Sequence, residues 1–135
     1  MPEAHETLLY LVRHGATPAN EQRPYVLQGR GIDTSLSDTG QRQAEAVAGF
    51  LSPRPLDVVL SSPMKRARET AAAIAAPHGI TAGVLEDISE CDVGRWEGRD
   101  WGSIMQDDAE AYHRFMDDPA VHGYPDGESY ADVLD

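Results

Sequence analysis

Cysteine is nearly missing from this chain. Cys91 stands alone among 135 residues, which excludes an intramolecular disulfide and suits a reducing compartment. Basic residues are also scarce, with 11 Lys and Arg against 23 Asp and Glu and a net charge of -12 at pH 7. Such a field repels nucleic acid and anionic membrane, so neither is expected as a partner. No apolar run approaches the ~20 residues that cross a bilayer. The acidic start, Met1-Pro2-Glu3-Ala4-His5-Glu6, lacks the basic-then-apolar layout of a signal peptide. The cytoplasm is the expected location. Several ligand-binding patterns are absent too: there is no Gly-x-x-x-x-Gly-Lys-Ser/Thr loop and no His-Glu-x-x-His pair. Asp107-Asp108 and Asp117-Asp118 lack the alternation of a calcium loop and read as solvated faces. No metal is expected.

What is present is an ordinary globular composition, 41% hydrophobic and 25% charged, without repeats or low-complexity tracts. Leu8-Leu9-Tyr10-Leu11-Val12 is a short continuous apolar run, which predicts a strand buried on both faces of a parallel sheet. After a Gly- and Pro-bearing loop, Ala44, Val47, Ala48 and Leu51 recur at helical spacing, with Ser37 as cap and Pro53 as stop. Leu56-Asp57-Val58-Val59-Leu60 predicts a second strand. Ser62 as N-cap and Pro63 as first helical residue then predict a helix with Ala67, Ala71, Ile74 and Ala75 on its buried face. A weaker strand follows at residues 81–85, then a helical stretch at 101–116. Ser129 with Asp132 resembles a capping box. The order is that of an α/β fold, a three-layer sandwich in which helices flank a largely parallel sheet. The sheet looks incomplete, and residues 1–135 read as one domain cut short at its C-terminal side.

In open α/β sheets, ligands bind at the carboxyl ends of strands. Arg13-His14 falls at such an end, and Arg66 falls in the first turn of the helix after the second strand. A cation there opposes the helix dipole, unless an anion sits between the guanidinium and the helix terminus. Two arginines from adjacent turns would clamp one phosphoryl group.

Arg13-His14-Gly15 with Thr17 and Asn20 resembles the signature of the histidine phosphatase superfamily, the phosphoglycerate mutase-like proteins. Gln28-Gly29, Asp33, Leu36-Ser37-Asp38-Thr39-Gly40 and Gln43-Ala44 extend the likeness. Ser61-Ser62-Pro63-Met64-Lys65-Arg66-Ala67 with Thr70-Ala71 resembles a second family block. Ile88-Ser89-Glu90 with Gly94 and Trp96-Glu97-Gly98 resembles a third, and Gly127-Glu128-Ser129 a fourth. These ordered blocks span nearly the whole chain.

The resemblance implies a phosphatase without metal or cofactor, acting on a small phosphorylated substrate. It makes His14 the nucleophile that forms a phosphohistidine, Arg13 and Arg66 the phosphate clamp, and Glu90 the general acid. Asn20, Gln28 and Gly29 are the expected substrate-binding residues. The family's second phosphate-binding histidine lies well after the fourth block, and neither His113 nor His122 stands in that context. Hydrolysis is preferred over mutase activity, because the stretch from Arg99 to Gly127 is short and without lysine. Gln28 also stands where mutases tend to carry a small hydroxyl residue. The alternatives are a cofactor-dependent mutase-like phosphotransferase and an inactive, truncated phosphate-binding module. A homodimer is compatible with either. Cys91, His5 and His78 are read as packing or solvated residues.

Overall fold

Two packed helices hold the turn at residues 13–15. The structure, a computed structural model, describes residues 5–135. Residues 1–4, part of the acidic start, lie outside the described residues.

Thr17 caps the single-turn helix α1 (Pro18–Glu21), with Pro18 at its first position. Helix α2 (Asp38–Leu51) starts where the sequence places it: the Ser37 hydroxyl accepts from Gly40 N at 3.1 Å. Ala44, Ala48 and Leu51 form its buried face, and the helix ends two residues before Pro53. Strand β1 (Leu60–Ser61), helix α3 (Lys65–Ala75) and strand β2 (Gly83–Val84) follow. The strands run parallel, with Leu60 opposite Gly83 and Ser61 opposite Val84. This is a mixed α/β fold whose sheet is parallel. Ala48, Leu51 and Ile74 form the core between α2 and α3, with Tyr10, Leu56 and Val59 packed against it. Gly79, in the left-handed region at φ 66°, closes the turn after α3.

Close backbone approach joins α2 to the turn after residue 12. A Cβ on Gly15 would run into the Gly40 carbonyl, and one on Gly40 into the Ala16 carbonyl. Ser37 N also donates to Ala16 O at 2.9 Å. Only glycine at both positions lets the helix start touch this turn.

Beyond the ladder come α4 (Trp101–Asp107), α5 (Ala109–Asp117), α6 (Pro119–His122) and α7 (Tyr130–Leu134). The Ser129–Asp132 capping box forms, with mutual bonds of 2.7 and 3.1 Å. A second core centres on Trp96, which is wholly buried with Leu27, Val93, Ile104 and Phe115. The rings of Trp101, Phe115 and Tyr124 meet it edge-on at 5.8, 5.5 and 6.0 Å. Among the described residues, no helix is long and apolar enough to cross a membrane.

Besides the second strand, which forms only at Leu60–Ser61 rather than over 56–60, three sequence expectations need correction. Residues 8–12 are not a buried strand: they join no ladder, and Leu9 and Leu11 are 73% and 88% exposed. Apolar character makes a segment able to occupy a sheet interior, but only neighbouring strands and covering layers put it there. Secondly, α3 starts at Lys65 with Met64 as its cap, not at Ser62-Pro63. The Asp33 carboxylate reaches in from the preceding loop and accepts from Lys65 N at 2.7 Å, satisfying a helix-start donor from afar. Thirdly, the helical stretch at 101–116 is two helices broken at Asp108, whose φ and ψ are -137° and 42°. Its carboxylate accepts from Trp96 Nε1 at 2.8 Å and from Arg95 Nε and Nη2 at 2.8 and 2.9 Å. The hydrogen bonds from Arg95, then Trp96, hold this carboxyl down to about 2.

Trp96→Ala should cost about 3–5 kcal/mol of stability through the cavity it leaves. A lowered denaturant midpoint with an unchanged slope is the expected readout.

Candidate active site

The turn after Val12 presents a half-buried His14. Its Nδ1 lies 2.7 Å from Gly15 O. A carbonyl can only accept, so in the neutral ring Nδ1 carries the proton and Nε2 keeps its lone pair. Gly15 N donates to Thr70 Oγ1 at 3.1 Å, and that hydroxyl donates to Arg66 O at 2.8 Å. Thr70 therefore ties the histidine turn directly to the first turn of α3.

Arg66 is only 1% exposed. Its Nη1 donates to Ile32 O at 2.9 Å and its Nη2 to Gly29 O at 3.2 Å. Glu90 Oε2 lies 3.5 Å from the same Nη2. The Glu90 side chain is 43% exposed, and its Oε1 accepts from Cys91 N at 3.0 Å. Gly29 is buried with both backbone polar groups engaged, its N–H donating to Glu97 Oε1 at 2.8 Å.

Burial is the main cause that lowers the His14 pKa from its ordinary 6.5. The Gly15 hydrogen bond works against it, while the positive fields of Arg66 and then Arg13 lower it further; Glu90 raises it. The imidazole is thus biased toward its neutral, nucleophilic form. Arg13 is exposed. With His14, Gly15, Asn20 and Thr70 it lines a cavity of about 330 Å³ against α2.

Asn20 and Gln28 meet at Thr17, a fully buried residue. The Thr17 hydroxyl stands 3.0 Å from Asn20 Oδ1 and 2.7 Å from Gln28 Oε1. Gln28 Nε2 is buried and has no hydrogen-bond partner among the described residues. So Arg13, His14 and Asn20 border the cavity, while Arg66, Glu90, Gln28 and Gly29 form a second group, linked to the first through Thr17 and Thr70.

Thr17, Thr70 and Glu97 belong to the motifs, yet their partners show only in the structure. Thr17 and Thr70 were detectable as hydroxyls inside or near the two basic motifs. Glu97 gave no such signal, because its partners are backbone groups some 65 positions away, Gly29 N and Ile32 N. Among the described residues, no group of three His, Cys, Asp or Glu side chains could hold a metal ion.

A family model described as the histidine phosphatase superfamily (branch 1) matches residues 9–135. A bifunctional protein of Mycobacterium tuberculosis is 40% identical over 129 residues, covering 95% of this chain and 34% of its own length. Phosphoserine phosphatase 1 of Hydrogenobacter thermophilus is 36% identical over 125 residues, covering 93% of this chain and 58% of its own. The crystal structure of the alpha-ribazole phosphatase from Shigella flexneri superposes with a TM-score of 0.79 at 29% identity, covering 89% of this chain and 58% of that one. The chain thus spans between a third and three fifths of these relatives.

Ring-proton titration by NMR should place the His14 midpoint below 6.5. Because the native state favours the neutral ring, the unfolded chain takes up that proton first. This residue's contribution to stability is therefore lost as pH falls from 6.5 through the depressed folded value. Arg66→Gln should move the midpoint upward without restoring it fully, since burial is the larger cause.

Proposed function

The chain belongs to the histidine phosphatase superfamily, and from that premise we propose that it hydrolyses phosphomonoesters through a phosphohistidine at His14. The supporting observation is the state of the imidazole: its Nδ1 proton bonded to Gly15 O, its Nε2 lone pair available, and two guanidinium fields upon it.

In this mechanism His14 Nε2 attacks phosphorus while the bond to the ester oxygen breaks. Glu90, in its protonated form, gives its proton to that leaving oxygen. Arg13 and Arg66 take the charge of the equatorial oxygens, which is where most of the catalysis of such a transfer comes from. Water then attacks the phosphohistidine and gives a proton to the Glu90 carboxylate; the P–N bond breaks and inorganic phosphate leaves. Asn20 and Gln28 would face the substrate, with the unpaired Gln28 amide as a donor for it. Gly29 would shape the same wall through its backbone. No metal or cofactor enters any step.

Named relatives are phosphatases acting on different small esters, and the proposed substrate is likewise a small phosphorylated molecule. Hydrolysis is favoured over cofactor-dependent, mutase-like phosphoryl transfer, because residues 100–126 carry no lysine to hold a second phosphate. The net charge of -12 supports the absence of nucleic acid and membrane partners, and lone Cys91 supports a cytoplasmic setting. We take residues 1–135 as part of a single domain, compatible with a homodimer. One observation favours a second reading, phosphate binding without turnover: the segment leading into His14 is exposed and joins no strand.

Hydrolysis of an aryl phosphate, with and without bisphosphoglycerate, separates these readings. Turnover independent of the bisphosphate, with acid-labile phosphorus trapped on His14, is the expected result. His14→Ala should fall to the uncatalysed rate, and Glu90→Gln should lose about 10²–10⁴-fold in kcat. Full activity in His14→Ala would refute the mechanism; phosphate binding without turnover would select the second reading.

A further inference from the structure

We propose that Glu97 is a positioning residue: it sets the guanidinium of Arg66 through the backbone of residues 29–32, without touching Arg66 or a bound phosphate. This rests on the reading that Arg66 holds the phosphoryl group.

Two residues of this turn face both ways. Gly29 and Ile32 give their N–H groups to one oxygen, Glu97 Oε1, at 2.8 and 2.9 Å. The carbonyls of the same two residues accept from Arg66, at 3.2 and 2.9 Å. A carboxylate on one side thus anchors the two residues whose carbonyls lie on the other, and the peptide plane of the Gly29 carbonyl is held as well, Arg30 N donating to Cys91 O at 3.2 Å.

Arg66 has little else to hold it. It is 1% exposed, so water does not complete its hydrogen bonds. Its acidic contact, Glu90, is farther away at 3.5 Å and on an exposed side chain. The direction of the guanidinium fork is therefore set by the turn.

Packing supports the same route. A Cβ on Gly29 would lie 2.7 Å from Glu97 Oε2 and 2.6 Å from Cys91 O, and one on Gly31 would lie 3.2 Å from Glu97 Cδ. The carboxyl group is pressed against the turn, leaving no room for the turn to drift toward it. Glu97 itself follows Trp96, the wholly buried centre of the second core. The aromatic core is thereby connected to the phosphate site in four links: Trp96, the Glu97 carboxylate, the 29–32 backbone and Arg66.

The test uses the full chain with inorganic phosphate as the probe, measured by calorimetry, and an aryl phosphate for kcat and KM. Glu97→Gln keeps the shape but removes the charge that draws both N–H groups. It should weaken phosphate about tenfold and raise KM more than it lowers kcat, since a misplacement of about 1 Å is worth up to about 100-fold. In an Arg66→Lys background, which lacks the two-pronged fork, Glu97→Gln should add less than twofold, because the two residues act in series. Exposed Glu86→Gln serves as the control and should bind phosphate like the parent. If Glu97→Gln does not fold by thermal melting, Glu97→Asp, which retracts the charge by one methylene, carries the same expectation. Parental affinity in the Glu97 variant, or an equal loss in the Arg66→Lys background, overturns the proposal. Parental affinity in Arg66→Gln overturns the role of Arg66 and this proposal together, which distinguishes the two failures.

Discussion

Arg66 is a permanently charged group almost wholly removed from water, at a helix start whose dipole opposes it. Removing a guanidinium from solvent costs several kcal/mol unless its donors are satisfied. Here the 29–32 turn accepts from both terminal nitrogens, and Thr70 links the Arg66 carbonyl to the turn that carries His14. Much of the remaining architecture around the site follows from that constraint. The turn must also lie close against residues 91–97, which demands glycine at 29, with the Glu97 carboxylate behind it. The histidine turn must reach Thr70, which demands the close backbone contact between Gly15 and the start of α2.

The electrostatics of the site run against those of the molecule. A chain with a net charge of -12 would repel an anionic ester. Arg13 and Arg66 reverse the sign locally, and their fields add to burial in keeping His14 neutral. For the proposed chemistry these effects are cooperative: the charges that attract a phosphoryl group also leave the attacking nitrogen unprotonated. Several acidic residues carry structural bonds. Asp108 fastens Arg95 to Trp96, Asp33 starts α3, and Glu97 braces the turn.

Much of the fold class was legible because its signals are local. Ser37 capping α2, Gly79 closing the turn after α3 and the Ser129–Asp132 box depend on residues within a few positions of the backbone groups they satisfy. The α3 start failed because the deciding donor contact comes from Asp33, over 30 positions earlier. The break at Asp108 failed for a similar reason: Trp96 and Arg95 draw its carboxylate from outside the helix. Residues 8–12 have the composition of an interior strand, yet burial is a property of what packs on a segment, and here the segment stands exposed.

The amino-acid order alone determined where along the chain the candidate side chains fall: His14 beside Arg13 after an apolar run, and Arg66 in a helix's first turn. Local hydrogen bonding and hydrophobic spacing are sufficient for that. Only the tertiary structure decided how those groups are held, since Thr70 and Glu97 accept from backbone N–H groups distant in sequence. A backbone N–H or carbonyl has no residue identity to be read in advance; its partner is known only when the chain has brought the two within about 3 Å.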